Sequence, residues 1–326
     1  MSQPTRFRPG RATLFALGVT LIALAWTRTL VSRAERDFPP QGKFITVEGH
    51  RVHYIEKGAG MPIVLLHGAY GGLGDWTATI FDEVAARGRA IALDRPGHGY
   101  SERSDDDLLT PAAQARFVHA FLRELGIERA VLVGFSWSGG LALSHALQFE
   151  ESTAGVMTLN GALYEWENIS SLSDAALGLP VVGPLFAATF AMPAGQLVVE
   201  RGVGKAFYPA MVDARFARSP VALELRPLSL LATAAELRTL KPALRLQSPH
   251  YREIKVPVTI VTGLGDKITY ARFHSYRLNE EVRGSRLVPV EGAGHQLLYS
   301  HSGAVISALD LLLADVQARE RERSEH

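Results

Sequence analysis

The sequence predicts an α/β chain with a mostly parallel sheet flanked by helices, a helical cap inserted late, and a hydrophobic helix in front. Three observations predict it. Short apolar runs rich in Val, Ile and Leu recur along the chain, and stretches of helical period separate them. The turns that close these runs are dense in Gly, Pro, His and Asp. With 326 residues, 47% of them hydrophobic and 21% charged, the chain has enough apolar material for one large core.

The first element stands apart. Residues 1–36 read as an N-terminal hydrophobic anchor and its flanks: Arg6, Arg8 and Arg11 come without an acid, Ala12 to Trp26 carries no charge, and Arg28 interrupts. That run is shorter than the roughly 20 residues of a usual span, but Thr27 to Val31 extends it if Arg28 snorkels. Ala23-Leu24-Ala25 also fits a cleavage site, so the segment reads as a signal anchor or a cleavable signal. Arginines on both sides leave the orientation open.

Residues 37–43, with Pro39-Pro40 inside a charged stretch from Ser32 to Gly42, read as a linker. The main domain, 44–318, opens with a hairpin of Phe44 to Val47 and Arg51 to Ile55 around Glu48-Gly49-His50. Strand runs follow at Met61 to Leu66, Ala90 to Leu93, Val131 to Val133, Gly155 to Leu159, Val258 to Val261 and Arg286 to Val290. Helical patterns occupy Thr77 to Ala86, Thr110 to Leu125, Gly139 to Gln148, Ala271 to Val282 and Gly303 to Ala318. The insertion at about 163–253 is too long for a simple loop and reads as a helical cap. Within it, Ala175 to Val199 is uncharged and broken by Pro180, Gly183, Pro184, Pro193 and Gly195. Two short apolar helices are expected there, lining a substrate cavity, touching lipid, or packing on the core. Residues 319–326 form a charged tail expected to fray.

Candidate chemistry lies where strands end. Val131 to Gly140 reads VLVGFSWSGG, with Ser136 between small residues directly after a β-branched run. A strand that turns sharply into a helix can present a serine hydroxyl there if the flanking positions are small. Ser138 is the rival by a shifted frame, but Ser136 leaves Val131 to Val133 ending at Gly134 and puts Gly139 in the first helical turn. A serine that merely caps the helix is the plainer reading. His67-Gly68-Ala69 follows one strand, Asp94 to Ser101 (DRPGHGYS) another, Asp266 a third, and Gly292-Ala293-Gly294-His295 a fourth. His67 and His98 read as structural, and Asp310 as a solvated helix position.

Several classes are excluded as expectations. No His and carboxylate cluster has metal spacing, and no glycine-rich dinucleotide loop follows a strand, so neither a metal nor a cofactor is expected. Net charge is +1 with no basic stripe interleaved with aromatics, which argues against nucleic acid. Cysteine is absent, so there are no disulfides.

From about Phe44 to Val316 the chain resembles the α/β-hydrolase superfamily, and with its leading hydrophobic helix and Pro-Pro linker it looks like a membrane-anchored bacterial member with a cap insertion. The loop at His67-Gly68, DRPGHGYS, the turn at Ser136, the strand-end Asp266 and GAGH ending at His295 carry the resemblance, in the chain order Ser, Asp, His that this fold uses. It departs at Ser138, where the pattern has glycine. The resemblance implies Ser136 as nucleophile, His295 as general base and Asp266 as the acid that orients it, with backbone N–H groups of Ala69 and Trp137 as oxyanion hole. It implies a serine hydrolase acting on a carboxylic ester or related acyl substrate with an apolar part. C–C bond or thioester hydrolysis uses the same residues, and a noncatalytic binding protein keeps the fold. Serine at position 136 disfavours members with a nucleophilic aspartate. A single-pass N-terminal anchor is expected, with a secreted or periplasmic form after signal cleavage as the alternative.

Overall fold

The computed structural model describes residues 10–103, 107–166 and 172–324. Continuous apolar runs become strands buried on both faces: every residue of β5 (Ala130–Phe135), β6 (Thr153–Leu159) and β7 (Val258–Gly263) is buried. They form the middle of an eight-stranded sheet with β1 (Lys43–Val47), β2 (His50–Lys57), β3 (Pro62–Leu66), β4 (Arg89–Leu93) and β8 (Arg286–Val290). The order is β1-β2-β4-β3-β5-β6-β7-β8. Only the β1–β2 and β2–β4 pairs are antiparallel.

Helices cover both faces, and the two-residue strand period sorts the core between them. Val64, Leu66 and Leu132 point to α2 (Pro111–Glu124) and α3 (Ser138–Gln148), where Phe117, Phe121, Leu141 and Leu143 meet them. Ile63, Leu65, Val131 and Val133 point the other way, to Leu309, Leu312 and Val316 of α8 (Ser302–Ser324). Thr110 starts α2 as an N-cap, its hydroxyl accepting from Ala113 N–H at 3.2 Å, with Pro111 in the first turn.

Between β6 and β7 the chain builds the cap from α4 (Leu172–Leu177), α5 (Val182–Phe186), a π-turn at Ala187–Ala191, α6 (Met192–Phe207) and α7 (Pro227–Gln247). Leu177, Ala187 and Ala191 pack on Leu230 and Ala234 of α7. Leu179, Val181, Val182, Leu185 and Phe190 are exposed. These contacts place Leu177, Ala187 and Ala191 in packing within the cap and the five exposed side chains on its outer surface.

Four segments differ from the sequence reading. The leading helix α1 (Arg11–Asp37) takes in the first residue of the expected linker and is not separated from the fold. A stripe of Ala23, Thr27, Leu30, Val31 and Ala34 docks it on the cap, with Thr27 Oγ1 donating to Thr189 O at 2.7 Å and Ala34 clustered with Met192 and Leu223. The basic flank at Arg6 and Arg8 lies outside the described residues. The charged tail is helical through Ser324, because Arg319 donates to the Lys255 carbonyl and Arg323 pairs with Glu151. Thr77 to Ala86 is two short helices, Gly74–Thr77 and Phe81–Ala85. At Ala271 to Val282 a π-turn, Arg272–Tyr276, precedes Arg277–Glu281 and buries His274, whose Nδ1 accepts from Leu163 and Tyr164 N–H.

Candidate active site

The register of the parallel strands decides where the polar turns meet. Leu66 pairs with Gly134, Phe135 with Leu159, Leu159 with Val261 and Gly263 with Val290, so the turns after β3, β5, β6, β7 and β8 gather along one edge. Ser136 follows β5 directly and has φ of +52°, a left-handed conformation uncommon for a residue with a side chain. Its neighbours must be small. A Cβ on Gly134 would lie 2.1 Å from Ser138 O, and one on Gly139 would lie 2.7 Å from Gly161 Cα. Position 138 tolerates a side chain because the buried Ser138 hydroxyl donates to the His67 carbonyl, tying α3 to the loop after β3.

The Ser136 hydroxyl lies 2.9 Å from His295 Nε2, and His295 Nδ1 lies 2.7 Å from Asp266 Oδ2. Asp266 also accepts from Ile268 N–H at 2.7 Å and the Thr269 hydroxyl at 2.6 Å. Burial pushes its carboxyl upward, but the His295 ring and these donors win and hold it down at about 2. An ionised Asp266 accepts the Nδ1 proton of His295, which leaves the Nε2 lone pair facing the Ser136 hydroxyl.

Gly68 packs against this serine so closely that a Cβ there would lie 2.9 Å from Ser136 Cβ. Ala69 follows Gly68 in that loop. Trp137 follows Ser136, buried beneath the Arg95 guanidinium at 4.3 Å. His67 and His98 serve the framework: His67 Nε2 accepts from Arg95 N–H at 2.9 Å, and His98 Nε2 lies 3.2 Å from both Glu236 oxygens. Asp310 is on the surface of α8, paired with Arg87.

Sequence reasoning missed three groups that hold the site. Asn160, at φ of +44° after β6, donates through Nδ2 to Gly294 O and His295 O, each at 2.9 Å. Its Oδ1 accepts from Gly263 N–H at 2.8 Å, so one side chain joins the His295 turn to the end of β7. Its only signal was its place directly after an apolar strand. Removing it leaves three buried backbone groups without partners, so Asn160→Ala should lower stability by about 2–4 kcal/mol. Chemical unfolding read beside ester turnover checks this, and an unchanged midpoint would contradict it.

The second group is Arg95, fully buried, which donates to the His67 and Gly68 carbonyls and to Glu236 on α7 at 3.0 Å. The third joins cap and loop directly: the hydroxyl of Tyr70, at φ of +54°, donates to Asp174 of α4. Asp75 lies beneath the same loop, where a Cβ on Gly71 would lie 2.5 Å from its Oδ2. Burial pushes Asp75 up to about 7 although the Tyr299 hydroxyl donates to it at 3.0 Å, and the nearby Glu224 adds to the rise. Among the described residues, no group of three or more His, Cys, Asp or Glu is placed to hold a metal ion.

Known proteins agree with this architecture. The family model for the alpha/beta hydrolase fold matches residues 61–302. An uncharacterised protein of Mycobacterium tuberculosis is 26% identical over 295 residues, covering 88% of this chain and 85% of that one. A 2-hydroxymuconate semialdehyde hydrolase of Pseudomonas sp. is 33% identical over 131 residues, 40% of this chain and 46% of its own. Among solved structures, an esterase from Exiguobacterium antarcticum superposes with a TM-score of 0.67 at 20% identity, over 85% of this chain and all of that one. The match to the family model spans most of the chain and contains each strand from β3 to β8, so this protein belongs to the alpha/beta hydrolase family and is a hydrolase.

Proposed function

We propose that the protein is a serine hydrolase that cleaves a carboxylic ester or related acyl substrate through an acyl-enzyme on Ser136, tethered to a membrane by α1. The observation that carries the chemistry is the unbroken hydrogen-bonded path from Ser136 through His295 to Asp266. His295 Nε2 takes the hydroxyl proton as Ser136 attacks the acyl carbon, and returns it to the leaving alcohol. Asp266, ionised, stabilises the imidazolium formed between these steps. Backbone N–H groups of Ala69 and Trp137 receive the charge on the carbonyl oxygen. Water then repeats the sequence against the acyl-enzyme and releases the acid.

A retained anchor is favoured over signal cleavage because the helix is built into the protein. Cleavage after Ala25 would remove the buried Ala23 and leave Thr27, bonded to Thr189, beside a new terminus. C–C bond hydrolysis is the second reading, favoured by the local identity to the 2-hydroxymuconate semialdehyde hydrolase. Fluorophosphonate labelling, followed by a series of p-nitrophenyl esters and 2-hydroxymuconate semialdehyde itself, tests both. Medium acyl chains should outperform acetyl, each buried methylene contributing up to about 0.8 kcal/mol. Faster turnover of the semialdehyde than of any ester would move the assignment to C–C cleavage. A flat chain-length profile would remove the apolar substrate.

A further inference from the structure

The depth at which α1 is docked raises a geometric problem. From Arg11 to Ile22 the helix is almost wholly exposed, a projecting length of about 18 Å at a rise of about 1.5 Å per residue. A bilayer's hydrocarbon core is about 30 Å thick. The projecting part is too short to cross it, so a spanning α1 carries its docked half, and the cap surface beside it, into the membrane.

The cap is built for that position. Thr27 meets Thr189, and Ala34 shares a cluster with Met192, so the contacts advance in the same direction along both segments. That places α5 and Val181 toward the projecting end of α1. There Leu179, Val181, Val182 and Leu185 are all at least half exposed, Val181 at 80%, in a stretch without a charge from Ala175 to Val199. Trp26 and Phe190, each next to one of the bonded threonines, are exposed aromatics that continue this apolar surface. Counted from Arg11 at about 1.5 Å per residue, a hydrocarbon core of about 30 Å ends near Val31, so Arg28 snorkels to the interface and Arg33 and Arg36 lie beyond it.

We propose that the outer cap surface from Leu179 to Phe190 is immersed in the lipid bilayer beside α1. This rests on the anchoring role given to α1 above. Apolar area on the cap and on α1 is then covered by one occupant, lipid acyl chains.

The chain contains no cysteine, so single-site labelling is clean. Full-length Leu17→Cys, Val181→Cys and Leu311→Cys variants, each carrying an environment-sensitive fluorophore, would be reconstituted into phosphatidylcholine vesicles. Leu17 reports α1, Val181 the cap, and Leu311 an exposed apolar position on α8. The label at Val181 should emit at shorter wavelength, lose quenching by aqueous iodide, and be quenched by nitroxide-labelled lipid about as strongly as that at Leu17. The label at Leu311 should stay aqueous. Lipid contact at Leu17 with Val181 as open to iodide as Leu311 would overturn the immersion of the cap and leave the anchor standing. Aqueous labels at both Leu17 and Val181 would overturn the two together. Shielding of Val181 from iodide without quenching by labelled lipid would show a protein covering the patch, a second copy included, and would also overturn the proposal.

Discussion

Ser136→Ala should abolish fluorophosphonate labelling and lower ester turnover by several powers of ten, of the order of 10⁶, with the fold intact. The loss is large because no neighbouring group can replace the hydroxyl. Ser136 is held in the left-handed region at the end of β5, where its Oγ meets His295 Nε2 at 2.9 Å, and the backbone turn sets that geometry independently of the side chain. Alanine therefore keeps the turn and loses only the attacking atom. Ser138→Ala is the matched control. Its hydroxyl is committed to the His67 carbonyl, so its loss should cost about 1 kcal/mol of stability and leave most of the turnover. Ser138→Gly, which restores the commoner residue of the turn, should behave alike. If labelling survived in Ser136→Ala and vanished in Ser138→Ala, the nucleophile assignment would be wrong.

What the sequence reveals about this site follows from how local each signal is. Ser136, Asp266 and His295 each sit at the end of an apolar run, and a strand end is visible in a window of a few residues. The sheet is legible for the same reason, since β5, β6 and β7 are buried on both faces and read as short runs with Val, Ile and Leu and no charged residue. Asn160 is also at a strand end, but its work is to join Gly263 to Gly294 and His295, which lie more than a hundred residues away along the chain. No periodicity encodes such a partnership. The docking of α1 escaped for a related reason. Its buried stripe consists of Ala23, Thr27, Leu30, Val31 and Ala34, and the uncharged run that precedes Arg28 reads as an anchor whether or not one side of it packs on protein. The π-turns at Ala187–Ala191 and Arg272–Tyr276 are likewise settled by what they pack against rather than by propensity.

Glu236→Ala should be the most destabilising single change in the cap, at about 3–5 kcal/mol, because it strands charge inside the protein. Glu236 is fully buried on α7 and receives Arg95 Nη1 at 3.0 Å, Gln114 Nε2 at 2.7 Å and His98 Nε2 at 3.2 Å. Burial alone would push its carboxyl upward, but Arg95 and His98 overcome that and hold it at about 2, below the unfolded value near 4.3. A carboxyl depressed in the folded state contributes stability that is complete above its unfolded value and is lost as pH falls through the folded one. The gap in unfolding free energy between wild type and Glu236→Gln should therefore hold near neutral pH and narrow between about pH 4.5 and about pH 2. Turnover should fall as well, since Arg95 also holds the His67 and Gly68 carbonyls of the loop that bears Ala69. The double variant Arg95→Met, Glu236→Met separates the two effects. With the pair removed together it should recover much of the stability, less what Arg103 loses with its carboxylate at 3.8 Å, yet the loop carbonyls would still lack their donor, and kcat should stay low with KM little changed. A double variant restored in both stability and turnover would reduce the Arg95–Glu236 pair to packing and remove the link between the cap and the loop that bears Ala69.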